Sequence, residues 1–309
     1  MHAADTILFL QHSAIDKQQW DDCVQHSPHS LIYAHTFYLD RISPGWQALV
    51  AADYSWVLPL TQKRKFTIPY LYQPAFTQQL GVFSKAGIHV PYPAIIEKMQ
   101  QHFKFCEAQW NHQTTIDLPG NVAIKPATNF NLDLSVGYDA LASKFSKDLL
   151  RNIKRAGKFN YQYQPTDDYA QCIEMYHKYY GERIPHVKKN DYSSFENICL
   201  HASKNNMLFC REVKNNNGEI LAIALLLFDG KRLYNMMNTT TPAGRKTEAN
   251  HYLLNKIIME FSGKNIVFDF EGSDLPGVKG FYENFSPINQ PYFMVRYNKL
   301  PWPLNLLKQ

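Results

Sequence analysis

Residues 266–287, IVFDFEGSDLPGVKGFYENFSP, open on an apolar stretch that ends in two carboxylates, Asp269 and Glu271, followed by the Ser273 hydroxyl and the Tyr282 phenol. The apolar residues at its start read as a strand, and Gly272-Ser273 as a turn into a short helix that carries Tyr282. A carboxylate at a strand end beside a cleft can deprotonate an attacking amine or hold it by hydrogen bond. Asp269 and Glu271 are the candidates; at most one faces the cleft, and Glu271, nearer the strand's C-terminal end, is preferred. Capping of the following turn accounts equally well for Asp269 or Ser273, with Ser273 otherwise a hydroxyl for substrate. Tyr282 is either a proton donor or a packed aromatic, one of 19 tyrosines in the chain.

A second pattern is cationic. Read as a single helix, residues 138–158 put Lys144, Lys147, Arg151, Lys154, Arg155 and Lys158 in one stripe about 100° wide. Leu141, Phe145, Leu149, Ile153 and Ala156 take the neighbouring arc, and only Asp148 interrupts the positive face. Such a face either attracts a phosphorylated substrate through Arg151, Lys154 and Arg155 or is an ordinary solvated surface. Cys23, His26 and His29 have metal-like spacing, but Pro28 breaks any shared helical face and no fourth ligand is near, so no metal is expected. No nucleophile-elbow, zinc-protease, P-loop or dinucleotide fingerprint is present.

These residues need a scaffold. A chain of 309 residues exceeds one ordinary core and suits two domains, and 45% hydrophobic against 19% charged residues can bury them. The apolar run at Ile7–Leu10 lacks the flanks of a secretory signal. The longest apolar run, 220–228, is far short of the roughly 20 residues of a spanning helix. Five scattered cysteines suit reduced thiols. Together these features predict a cytoplasmic protein without a membrane span. A net charge of +5 favours anionic ligands without marking a nucleic-acid binder.

In the first half the patterning predicts a strand near 6–11, helices near 16–25 and 36–41, and a strand pair across 46–60. Residues 68–84, rich in aromatics with two prolines and a glycine, predict an ordered loop beside a cleft. A helix over 94–110 and strands near 114–118 and 129–134 follow. An alternating strand that runs directly into a long helix places the boundary at Ser135, giving domains 1–135 and 136–309. The second domain reads as helices at 138–157, 167–180, 191–204, 248–261 and 277–285. Its strands fall at 160–164, 207–213, 219–228, 231–239, 265–270 and 291–297. Asn215-Asn216-Asn217-Gly218 predicts a hairpin turn, and the apolar strand after it a central position covered on both faces. The fold class is α/β (α+β).

The string Phe268-Asp269-Phe270-Glu271-Gly272-Ser273, then Gly277, Phe281 and Phe285, resembles the closing motif of Fem-type (FemAB-like) peptidoglycan amino-acid transferases and their acetyltransferase relatives. There a D-F-x-x-S/G strand end precedes a G-x-x-x-F-K-x-x-F-G helix. Leu149-Leu150-Arg151-Asn152-Ile153-Lys154-Arg155-Ala156 is similar to the R-x-N-I-R/K-x-A helix that opens the second half of those proteins. The resemblance spans residues 138–297 and departs where Tyr282 replaces a lysine and Ser286 a glycine. It implies two GNAT-like (acyl-CoA N-acyltransferase) domains, each a mixed central sheet flanked by helices, the first by implication only.

An F-Y pair in single-domain GNAT helices presents a tyrosine that protonates the departing coenzyme A thiolate, which implies that role for Tyr282. The GNAT fold further implies a donor pyrophosphate on the helix after the fourth strand, here residues 239–248. Gly244, Arg245, Lys246 and Thr247 would bind the donor, with Thr247 as the N-cap. The usual Gly-x-Gly/Ala spacing is missing, and a plain helix start is the other reading. The implied activity is transfer of an acetyl or aminoacyl group to an amine, with backbone N–H groups near 231–239 holding the oxyanion. Acyl-CoA is the expected donor and a small-molecule or peptidoglycan-precursor amine the acceptor. Aminoacyl-tRNA is an alternative donor, although the long helical hairpin that some tRNA-dependent members insert is missing. A non-catalytic binding protein on the same scaffold is the third reading.

Overall fold

The computed structural model describes residues 6–113, 119–272 and 274–308; the strand expected near 114–118, and Ser273, lie outside them. The chain divides into two units, residues 1–127 with 291–309, and residues 128–290.

In the first unit β1 (Ile7–Leu10), β2 (Gln47–Ala51) and β3 (Trp56–Leu60) pair antiparallel. β4 (Gln62–Lys65) and β5 (Ile68–Tyr72) form a hairpin, and β6 (Phe83–Ser84) returns to β3 to complete a four-stranded sheet. The hairpin belongs to a second, five-stranded sheet with β7 (Phe105–Trp110), β8 (Ala123–Ala127) and the strand Tyr292–Asn298. Helices α1 (Lys17–Gln25), α2 (Thr36–Ile42) and α3 (Tyr92–His102) accompany them. Asp16 starts α1 by accepting the N–H groups of Gln18 and Gln19, both at 3.1 Å. Trp20, Trp46, Trp56 and Trp110 are buried, and the Trp20 indole donates to the Ala34 carbonyl at 2.8 Å.

Two expectations change here. The helix over 94–110 stops at His102, and 105–110 is a strand, because pairing on both sides buries Phe105, Cys106 and Trp110. The aromatic loop begins as β5. Pro69 is tolerated because pairing with β7 starts only at Leu71, beyond the missing N–H.

The second unit is built on one seven-stranded sheet. Along the chain come β9 (Phe130–Asp133), α4 (Tyr138–Ala142), α5 (Lys147–Ala156), β10 (Gln162–Thr166), α6 (Tyr169–Tyr180) and α7 (Lys189–Lys204). Three long strands follow, β11 (Leu208–Lys214), β12 (Ile220–Phe228) and β13 (Arg232–Thr240). Then come α8 (Pro242–Lys246), α9 (Ala249–Phe261), β14 (Val267–Asp269), α10 (Pro276–Glu283) and β15 (Ile288–Asn289). The order across the sheet is β10-β11-β12-β13-β14-β9-β15, antiparallel except for β13 against β14. Gly218 at φ 80° closes the predicted hairpin, and β12 is buried from Leu221 to Leu227, as a strand covered on both faces must be. No helix among the described residues is long and apolar enough to cross a membrane.

The division differs from a cut at Ser135. β9 pairs with β14 and β15 and so belongs to the second unit, while Tyr292–Asn298, now β16, pairs with β7 and β8 in the first. Alternation identifies a strand but not its partners. The single basic helix also divides. Ser146, at ψ 151°, takes the Leu149 N–H at 3.1 Å and donates to Asn284 Oδ1 at 2.7 Å, so α5 starts afresh and Lys144 falls outside it, while Lys147, Arg151, Lys154 and Arg155 keep one stripe on α5.

Asp269 is not positioned for catalysis. Its carboxylate is buried and accepts from Arg232 Nη1 at 2.5 Å, Asn129 Nδ2 at 3.2 Å and the Glu271 N–H at 2.9 Å. Burial works against the Arg232 charge, but Asp269 beside it holds the guanidinium pKa above its ordinary value. We expect Asp269→Ala, which leaves that cation buried and unpaired, to lower the unfolding free energy by about 3–5 kcal/mol in urea titrations. A loss no larger than a surface substitution would show that the pair does not hold the two strands.

Candidate functional site

The parallel pairing of β13 with β14 ends at Tyr234 opposite Asp269. β13 runs on to Thr240, whereas the other chain leans toward β9, with Phe270 N–H donating to Phe130 O at 3.0 Å. Opposite Leu226 the register of β13 slips, so that Asn235 and Met236 face one residue of β12, a bulge that bends the strand at the same level. A cavity of about 700 Å³ opens where the strands part, walled by β13, the end of α6, the start of α9 and α10.

Tyr282 and Glu271 both line it. Residues two apart on a continuing strand share a face, but β14 ends at Asp269, and Glu271 sits at φ 56°, which turns its side chain into the cavity. A left-handed conformation at a glutamate is strained and is kept where the surroundings demand it. The Tyr282 phenol pKa is pushed well above the ordinary tyrosine value, first by burial, then by Tyr176, Tyr180 and Glu271, with the Asn235 amide partly opposing them. Asn235 itself is buried, and neither polar atom of its amide completes a hydrogen bond; Asn238 Nδ2 and Asn250 Oδ1, on the same wall, are in the same condition. Buried unpaired amides are costly in isolation and fit a polar ligand.

The donor-binding segment takes a different form from the one expected. Gly244 does line the cavity, but it is there for packing: a Cβ on it would lie 2.2 Å from the Leu221 carbonyl oxygen. Thr241, not Thr247, is the cap, taking the Gly244 N–H at 3.0 Å. Thr247 closes α8 from its C-terminal side by donating to Ala243 O at 3.0 Å. α9 starts from Glu248 at φ 59°. Its carboxylate makes no capping hydrogen bond to that helix and pairs instead with Arg155 and His251. Arg245 does line the cavity, 5.7 Å from the Tyr180 ring centroid, and Arg183 lies 5.3 Å from the same ring. Among the described residues no carboxylate pairs with either arginine. Lys246 is exposed away from the wall.

The basic helix does not form part of the wall. Arg151 is exposed and pairs with Asp148 at 3.0 Å, Lys154 is exposed, and Arg155 forms an ion pair with Glu248. Through Glu248 it does reach the site, because Glu248 Oε2 also takes His251 Nδ1 at 3.0 Å. Asn152 lies 3.3 Å from His251 Nε2, and the imidazole rests edge-on against Phe281 at 4.9 Å. Sequence reasoning missed His251, Glu248, Tyr176, Tyr180, Arg183 and Asn235. Two signals were there to read: tyrosines four apart at the end of α6, and asparagines in a strand beside an all-apolar one. Cys23 is buried with its thiol toward Phe83 O at 3.6 Å, while His26 turns to Asp22 at 3.1 Å, so the two do not share a ligand set.

Residues 143–277 match the family model described as an acetyltransferase (GNAT) domain. Over almost the whole molecule, the structure superposes on FemX with a TM-score of 0.62 at 15% identity, covering 98% of this chain and 99% of that one. The chain has a Fem-like GNAT fold. The same GNAT arrangement superposes on L-PGS from Bacillus licheniformis (TM-score 0.53, 11% identity, 94% and 95% of the two chains). It also superposes on a tandem GNAT protein from the clavulanic acid biosynthesis pathway (0.51, 11%, 96% and 99%). No curated protein sequence matches. The cavity lies inside the GNAT unit, and its walls run from α6 to α10.

Burial is the main cause that lowers the His251 pKa, with Arg155 adding to it and Glu248 opposing, so the folded protein resists protonation there. The unfolded chain takes the proton first, and stability present above about pH 6.5 should fall as the pH drops through the depressed folded value. Urea midpoints measured from pH 7.5 to 5 should decline less steeply in His251→Gln than in the wild type. Parallel slopes would mean that the ring is not held neutral.

Proposed function

We propose that the chain is an N-acyltransferase whose reaction takes place in the cavity between β13 and α10. The observation that carries this reading is the parting of β13 from β14 beside a turned-in carboxylate and a half-buried tyrosine. An acyl group laid along the open edge of β13 would meet backbone N–H groups that no longer pair with β14, and these are placed to hold the charge that builds on its oxygen. The acceptor amine forms the new C–N bond, and the bond from the acyl carbon to the donor's sulfur or oxygen breaks. Glu271 takes the proton of the amine. Tyr282, kept protonated by its raised pKa, gives its phenolic proton to the departing group. Positioning within a shielded cavity supplies much of the remaining rate.

The donor is an acyl-CoA or an aminoacyl-tRNA, both of which carry phosphates that Arg183 and Arg245 would attract. The acceptor is a small-molecule or peptidoglycan-precursor amine. Five free, buried cysteines suit the cytoplasm as the working compartment.

Tyr282→Phe should lower kcat by roughly 100-fold or more while leaving the donor KM nearly unchanged. A variant at the wild-type rate would remove the phenol from the reaction. Thermal shifts with acetyl-CoA, longer acyl-CoAs and charged tRNA identify the donor, since ligand at 100 times its Kd adds about 2.7 kcal/mol to the folded state. Silence with all three would favour a binding protein over a transferase.

A further inference from the structure

At one end of the five-stranded sheet of the first unit, the β4–β5 hairpin, the start of β7 and the tail after β16 come together. Lys65 faces Ile68 at the hairpin end, and Asn298 ends β16 opposite Phe105. Between these segments is an apolar cavity of about 190 Å³ walled by Phe66, Ile68, Phe105, Leu300 and Leu304, with Lys65 at its edge. The surface around it is unusual for this chain. Of five tryptophans, four are at most 2% exposed, but Trp302 is 79% exposed, Phe66 78% and Leu306 53%. Phe66 and Thr67 sit at φ 49° and 67°, a left-handed hairpin tip without glycine that leaves the phenyl ring in solvent.

The charged residues of these segments are all of one sign. Segments 61–72, 103–106 and 298–308 contain Lys63, Arg64, Lys65, Lys104, Lys299 and Lys308, and no aspartate or glutamate. Lys63, Arg64, Lys65, Lys104 and Lys299 are exposed, and the Lys299 N–H donates to the Lys104 carbonyl at 2.7 Å, which brings the second and third segments together. Exposed aromatic and aliphatic tips ringed by cations match a membrane interface: the apolar side chains enter the headgroup–acyl boundary and the cations meet anionic headgroups. Single-stranded nucleic acid also takes cations with aromatics, but it needs stacking faces. Ile68, Leu300, Leu304 and Leu306 offer none and instead fit hydrocarbon.

We propose that this end of the first unit docks on an anionic phospholipid bilayer, with Phe66 and Trp302 inserted at the interface. The proposal is independent of the reaction assigned to the second unit. Docking would bring the enzyme to a surface while the chain itself has no spanning helix among its described residues.

Sedimentation of the full chain with vesicles tests it. Vesicles containing phosphatidylglycerol should carry the protein down and phosphatidylcholine vesicles should not, with binding lost in high salt. Phe66→Ser with Trp302→Ser should weaken binding at least tenfold, and Arg64→Gln, Lys65→Gln and Lys299→Gln together roughly 100-fold. Unchanged urea midpoints would show that each variant folds. Brominated lipid should quench a component of tryptophan emission that Trp302→Phe removes, since the other four indoles are buried. Equal binding to both vesicle types, no binding, or binding indifferent to both sets of substitutions would overturn the proposal. So would an RNA oligonucleotide or self-association engaging these side chains in the absence of vesicle binding.

Discussion

The organisation of the second unit depends on one buried ion pair. Arg232 opens β13, Asp269 closes β14, and their contact at 2.5 Å fixes how far the only parallel pairing in that sheet can run. Two charges out of water hold together only when their remaining hydrogen-bonding capacity is met, and Asn129 and the Glu271 N–H meet it for Asp269. The strand ends at this carboxylate. Glu271 turns left-handed, Gly272 packs its backbone so close that a Cβ would lie 2.2 Å from the Thr128 oxygen, and the cavity opens on the other side. Of the two carboxylates that sequence offers as a base, Asp269 thus shapes the site for Glu271, the preferred one.

The elements of the second unit were largely legible, because β12 is apolar at nearly every position and its flanking hairpin carries the turn residues its geometry requires. Tyr282 and Glu271 were legible as candidates, and the structure places both on one wall. The basic stripe was legible in part: Lys147, Arg151, Lys154 and Arg155 share one helix, whereas Lys144 precedes the serine whose side chain closes that helix's start. Thr247 had the right residue type to cap the helix after it, but Pro242 begins a short helix, capped by Thr241, that ends at Thr247, and the next helix starts from Glu248. His251 was invisible because its role comes from Asn152, Arg155 and Glu248, which converge only in space.

The departures from the Fem-like pattern have local explanations. Ser286 stands where relatives have glycine and adopts φ 53°, the backbone state glycine enters without cost; its hydroxyl bonds the Lys144 carbonyl and so helps hold that state. Tyr282, in place of lysine, rests 4.8 Å from the Phe270 ring centroid in an aromatic group that a cation would not fill. The pattern of the helix survives while the chemistry it presents is different.

The position of β16 has a consequence for how the chain is made. It lies between β7 and β8, so β8 has no neighbour in the sheet until residues 292–298 exist. During synthesis the inserted unit, contiguous from 128 to 290, can close on itself while the segment before it still waits for the strand between β7 and β8. The segment 6–127, made before the second unit, is therefore completed after it, and until then it presents an unpaired strand edge.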